Sequence, residues 1–201
     1  MEIIHEIDGI SYREYDLVYP VEEDTLYFLS KVAPHFENRT GNVLDMGTGT
    51  GLITLLAGSR GWEVLSVDRE PRALMNLREN LRMNGLRSRL ILSDLFGGIP
   101  RGFQDHFDII TFNPPYLTDA GVGLSGRERL AIIGGTEGWE VMKKFLSGSR
   151  SFLKKGGSLL LLLSASWNIN DLIGNAPLEI VEIDEKDIQG EKFTAVELSR
   201  I

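Results

Sequence analysis

The chain has 201 residues, of which 42% are hydrophobic and 25% charged, with a formal net charge of −8 and no cysteine. That length suits one α/β domain, and the missing thiols exclude a disulfide framework or a thiolate metal centre. The acidic balance argues against unaided nucleic-acid binding, which needs a basic stripe. No apolar run approaches the roughly 18–20 residues of a membrane span.

Residues 1–19 alternate Ile and Tyr with charged residues and predict an extended N-terminal arm or hairpin. The opening Met1–Glu6 lacks the basic and apolar regions of a secretory signal, so a cytoplasmic location is expected. Glu22 to Asp24 place acids ahead of the apolar run Leu26 to Val32, the pattern of a helix N-terminus. Gly41-Asn42 breaks the chain before a buried strand, Val43-Leu44-Asp45-Met46. A helix over Leu52–Ser59, a strand over Glu63–Asp68 and a helix over Pro71–Met83 follow. In that last helix Leu74, Leu77 and Leu81 share a face, Pro71 suits the first turn and Asn84-Gly85 ends it. Its arginines, with Glu70 and Glu79 interleaved, predict a solvated face rather than a phosphate track.

Leu90-Ile91-Leu92 and Phe107–Phe112 are the next two strands. A helix over 137–152 is expected to end at Lys154-Lys155-Gly156-Gly157, cations followed by glycine. A strand over Leu159–Leu163, a short helix over 168–174 and two strands over 178–183 and 193–199 complete the chain. This order predicts an α/β fold with a mostly parallel seven-stranded sheet, helices on both faces and an antiparallel C-terminal strand. All 201 residues are expected to form a single domain. The glycine-rich stretch Leu117–Gly135 is its longest irregular piece, and a cover over a site is expected there. His5, His35 and His106 show no ligand spacing, so no metal site is expected.

Asn113-Pro114-Pro115-Tyr116 follows directly on the strand ending at Phe112. The prolines end the ladder and stiffen the backbone, and neither has an N–H to compete for the local carbonyls. The Asn113 side chain adds another acceptor. Fixed acceptors beside an aromatic face suit a flat NH₂ group, such as a carboxamide or the exocyclic amine of a base. A second signal is Asp45-Met46-Gly47-Thr48-Gly49-Thr50-Gly51, a strand end followed by three alternate glycines and a helix. A nicotinamide-cofactor fingerprint would need glycine where this chain has Leu52. By itself the motif leaves open a methyl-donor site, another nucleotide site or a structural turn.

The spacing resembles the first motif of class I S-adenosylmethionine-dependent methyltransferases, with their Rossmann-like fold. Asp68 and Asp94, after the next two strands, would line the same crevice. Asp68 is placed to accept from a ribose diol. Asp94 is placed to accept from the adenine amine, with Leu95-Phe96 over the ring, and Asp45 to meet the ammonium or sulfonium side of the cofactor. The Asn-Pro-Pro-Tyr segment makes the chain similar to the HemK family of protein glutamine-N5 methyltransferases, which act on the Gly-Gly-Gln loop of peptide-chain release factors. It resembles most the short archaeal and eukaryotic branch, through Tyr19-Pro20-Val21-Glu22-Glu23-Asp24-Thr25, Gly134-Gly135-Thr136-Glu137-Gly138 and Gln189-Gly190-Glu191. It departs from the family at Ile132 and Trp139.

The resemblance implies S-adenosyl-L-methionine as cofactor and S-adenosyl-L-homocysteine as product. Thr25, Asp45, Gly47, Gly49, Gly51, Asp68, Asp94, Leu95 and Asn113 would hold the cofactor. Asn113, Pro114, Pro115 and Tyr116 would hold the acceptor nitrogen, with Asn113, Pro114 and Tyr116 carrying the reaction. It also implies a release factor as substrate and a small zinc-binding activator added to the open edge near Leu90–Leu92. Two rivals remain: an amino-methyltransferase acting on adenine N6 or guanine N2 of nucleic acid, and a cofactor-binding module without catalysis.

Overall fold

Near-continuous apolar strands need cover on both faces, and the fold supplies it with two layers of helix. A computed structural model describes residues 4–114, 139–164, 167–174 and 176–201. In chain order the elements are β1 (His5–Ile7), β2 (Ile10–Tyr12), α1 (Glu23–Val32), β3 (Asn42–Met46), α2 (Leu52–Ser59), β4 (Glu63–Asp68), α3 (Pro71–Met83) and β5 (Arg89–Leu92). Then come β6 (Phe107–Phe112), α4 (Glu140–Ser149), β7 (Leu153–Ser164), α5 (Ile169–Ile173), β8 (Leu178–Ile188) and β9 (Glu191–Arg200). Among these no helix is long and apolar enough to cross a membrane.

The main sheet has seven strands in the order β5-β4-β3-β6-β7-β9-β8. Neighbours from β5 to β7 are parallel. Only β9 runs against its neighbours, β7 and β8. The order reverses at β3, whose next strand in the chain lies on one side and β6 on the other. Open α/β sheets bind ligands in the crevice at such a reversal, outside the carboxyl ends of the strands.

Successive strand residues point to opposite faces, and the core divides accordingly. Val43 packs with Leu55, Leu77, Ile109 and Leu160 beneath α1, α2 and α3. Leu44 and Met46 pack with Ile110, Phe145 and Leu161 beneath α4. Side chains such as Leu44, Leu55, Ile110 and Phe145 are fully buried, each contributing about 1.5–3 kcal/mol relative to exposure. The N-terminal arm is a hairpin, with Ile7 paired to Ile10 across Asp8-Gly9, both at positive φ as a tight turn of that hand requires.

Two expectations are corrected. The helix expected to run to residue 152 ends at Ser149, and Lys154-Lys155-Gly156-Gly157 lies inside β7 rather than closing a helix. The register with β6 steps from Phe107–Leu153 to Ile109–Ser158, so those residues form a bulge. A charge partner decides the matter, because Lys154 Nζ lies 2.8 and 2.9 Å from the Asp108 carboxylate oxygens on β6. Asp108 in turn accepts from the Asn42 N–H at 2.8 Å, tying the bulge to β3. The terminal strands are also longer than expected, reaching Ile188 and starting at Glu191. Residues 185–187 and 191–192 are charged and exposed on both faces, so hydrophobic alternation fades there although the pairing continues, and Ile188 at the tip of β8 is buried again.

Candidate active site

The glycine loop after β3, Asp68 at the end of β4, Asp94 after β5 and Asn113 after β6 all open onto one cleft at the carboxyl edge of the sheet. The cleft holds about 1250 Å³, part of it open solvent, and its walls also include Tyr19, Pro20, Thr25, Leu95 and Pro114. Every described residue expected in the site lines it except Gly51 and Phe96, whose ring, expected over the adenine, packs instead on Phe145 and Phe152 with centroids 5.5 and 5.1 Å away.

Two positions in the loop explain the glycines. Gly51 has φ +91°, and a Cβ there would lie 2.3 Å from Leu77 Cδ1, so only glycine lets α3 pack this closely. Gly49 has φ +54°, and a Cβ there would meet nothing within 4 Å, so the space above it is available to a ligand. The Gly47 and Thr48 N–H groups donate to Val67 O on β4 at 2.8 and 3.1 Å, which anchors the loop to the sheet.

Asp45 is buried at 2% exposure and accepts from three hydroxyls: Thr48 Oγ1 at 2.7 Å, Thr54 Oγ1 at 2.6 Å and Thr111 Oγ1 at 3.1 Å. Burial pushes its carboxyl above the usual range, and the hydroxyl bonds act against that shift. A carboxylate offers about four acceptor sites, so most of this one is used on the protein. Its first task is to hold the glycine loop, and what remains faces the cleft. The threonines carried no local sequence signal, since they come from a loop, a helix and a separate strand.

Asp68 is 9% exposed, and its oxygens accept from the Gly49 N–H at 3.0 Å and the Glu70 N–H at 2.8 Å. Burial raises its pKa, and those two N–H bonds oppose the rise. One carboxylate thereby joins the glycine loop to the start of α3. Asp94 is exposed at the rim. Leu95 beside it has φ +49°, a left-handed conformation costing a non-glycine residue roughly 1–2 kcal/mol. Ser93 braces the turn, accepting from the Gly98 N–H at 2.7 Å and donating to Leu95 O at 2.9 Å.

Asn113 carries the sharpest observation. Its Nδ2 donates to Asp24 Oδ2 at 3.3 Å. Its Oδ1 is buried and has no hydrogen-bond partner among the described residues. A buried acceptor left unsatisfied costs about 1–3 kcal/mol, so this atom is poised for a donor that the described residues do not supply. Pro115, Tyr116, the expected cover over Leu117–Gly135 and the segment Gly134–Gly138 lie outside the described residues.

A ladder of asparagines on α3 holds the N-terminal arm beside the cleft. Ser11, Arg13 and Tyr15 donate their N–H groups to Asn84, Asn80 and Asn76 Oδ1 at 3.0, 2.9 and 3.0 Å. The three Nδ2 groups return bonds to Ser11 O and Arg13 O. Four helical residues rise about 6.0 Å and two extended residues about 6.6 Å, so the two repeats stay in step over three rungs. Asn80 also donates to Thr50 O at 2.9 Å, linking arm and glycine loop. The arm continues into Leu17–Pro20, which wall the cleft.

The methyltransferase small domain, a family model, matches residues 23–131. A protein of Methanocaldococcus jannaschii assigned to protein N5-glutamine methylation is 32% identical over 165 residues, 81% of this chain and 80% of its own length. The release factor glutamine methyltransferase of Cereibacter sphaeroides is 37% identical over 62% of this chain, which spans 47% of that longer protein. Among solved structures, the E. cuniculi Mtq2–Trm112 complex, responsible for methylation of the termination factor eRF1, superposes with a TM-score of 0.69 at 26% identity. That match covers 92% of this chain and 99% of the other.

Proposed function

Because the chain belongs to the methyltransferase small domain family, and matches its glutamine-N5 members along most of its length, we propose that it methylates the side-chain amide of the Gly-Gly-Gln glutamine in a peptide-chain release factor. The methyl donor is S-adenosyl-L-methionine. When bound it supplies a sulfonium methyl, which passes to nitrogen while sulfur keeps the bonding pair in S-adenosyl-L-homocysteine. The open space over Gly49, the acids at the ends of β3, β4 and β5 and the half-buried Leu95 suit such a nucleoside. In this reading Asp68 takes the ribose diol, Asp94 and Leu95 the adenine, and Thr25, Asp45 and Gly47 the amino-acid end.

The buried Oδ1 of Asn113, without a hydrogen-bond partner among the described residues, carries the proposal. An amide nitrogen is a poor nucleophile because its lone pair is delocalised into its carbonyl. Accepting an N–H hydrogen at Oδ1 raises charge on that nitrogen and aims it, a matter of orientation and electrostatic preorganisation. The Pro114 carbonyl takes the second hydrogen, and Tyr116 packs on the flat amide. Once methylated, the nitrogen releases one proton to water. All 201 residues act as one catalytic domain, working in the cytoplasm beside the translation machinery.

A small activator, zinc-binding in this proposal, docks on the β5 edge by strand addition. That edge exposes Leu92 at 55% and presents the half-buried Leu90 and Ile91. Incubation with methyl-labelled donor and release factor, ribosomal RNA or DNA in parallel tests the whole reading. Label on the release-factor glutamine supports it, and label confined to nucleic acid overturns it.

A further inference from the structure

We propose that Asp24 sets the direction of the Asn113 side-chain amide and thereby makes the site selective for an acceptor that brings N–H hydrogens. This rests on the reading of Asn113 as the group that holds the acceptor nitrogen. An asparagine amide has nearly the same shape either way round, and only its hydrogen bonds decide which end faces a ligand. Here Nδ2 donates to Asp24 Oδ2 at 3.3 Å. A half-turn of the amide would set carbonyl oxygen against carboxylate oxygen, a repulsive pair in a buried place. Asp24 is only 4% exposed, so water does little to relieve that repulsion.

The carboxylate is itself held. It sits in the first turn of α1, where the helix dipole favours negative charge. The Thr25 hydroxyl donates to its other oxygen at 3.4 Å. Asp24 does not line the cleft, whereas Asn113 and Thr25 do. It therefore acts through Asn113 and is a positioning residue. The bond has a second effect of the same sign. A hydrogen shared with a carboxylate pushes electron density through the Asn113 amide towards Oδ1 and strengthens it as an acceptor. The reversed amide would present two N–H donors and turn away an NH₂ group.

The test pairs an amide signal with kinetics. In a ¹H–¹⁵N spectrum the Asn113 side-chain pair is assigned by its loss in Asn113→Ser, and in the native protein one proton is shifted downfield by the carboxylate. Asp24→Ala is expected to return that pair to the free-amide position. It lowers kcat for release-factor methylation at least about tenfold, as loss of a charge-assisted bond predicts, with the donor KM unchanged. Asp24→Asn keeps an accepting carbonyl and is expected to show an intermediate shift and an intermediate rate. An unmoved amide pair or an undiminished kcat in Asp24→Ala overturns the proposal. Should Asp24→Ala fail to fold, a free-amide signal in Asp24→Asn overturns it just as well. A native protein inactive on release factor removes the substrate reading alone, because the amide signals still decide the role of Asp24.

Discussion

Replacing Asn80 with alanine removes the middle rung of the asparagine ladder and the one link from that rung to the glycine loop. Asn80 is fully buried and makes three bonds: it accepts from the Arg13 N–H at 2.9 Å and donates to Arg13 O at 3.0 Å and Thr50 O at 2.9 Å. At a net value of roughly 1 kcal/mol per bond, the variant should lose about 3 kcal/mol of stability. With a urea dependence of about 2 kcal/mol per molar, the unfolding midpoint falls by about 1.5 M. Asn80→Asp keeps the acceptor but loses both donors and buries a charge, so it should be at least as damaging. Calorimetry of donor binding adds a functional arm, because the Thr50 carbonyl belongs to the loop proposed to carry the donor. A loss under about 1 kcal/mol, with unchanged hydrogen exchange at Arg13, would refute the claim that this ladder seats the arm.

Other expectations follow from the two buried acids. Asp68→Ala deprives the Gly49 and Glu70 N–H groups of their shared acceptor and should weaken donor binding at least about tenfold, while an unchanged dissociation constant would contradict the ribose role. Burial holds the Asp45 carboxyl above its usual range, so the folded chain binds that proton more tightly than the unfolded one does. Its contribution is fully present below the unfolded value and is lost as pH rises through the folded value. The native protein should therefore gain stability relative to Asp45→Asn as pH falls from neutral towards about 4. Urea midpoints for the pair at several pH values measure this, and a difference independent of pH would refute it.

Much of the sheet was legible because buried parallel strands read as continuous apolar runs, as in Leu159–Leu163 and Phe107–Phe112. The glycine loop and Asn113-Pro114 were legible because close backbone packing and a ladder's end restrict residue choice locally. What escaped depends on partners distant in sequence. Lys154 to Gly157 has the composition of a helix end, and only Asp108, 46 residues away, shows that it is a bulge. The bond from Thr111 to Asp45, 66 residues apart, and that from Asn113 to Asp24, 89 residues apart, are of the same kind. The asparagine ladder did leave a trace, since residues 76, 80 and 84 recur every four positions. Polar residues on a buried helical face call for a partner strand.

The most direct measurement is the single-turnover rate of methyl transfer to the release-factor glutamine by Asn113→Ala, with donor binding shown separately to be intact. Loss of the Oδ1 acceptor should raise the barrier on the order of 3 kcal/mol, slowing transfer about a hundredfold or more. A variant that binds donor and transfers methyl at the native rate would contradict the assignment of that buried oxygen as the grip on the acceptor nitrogen.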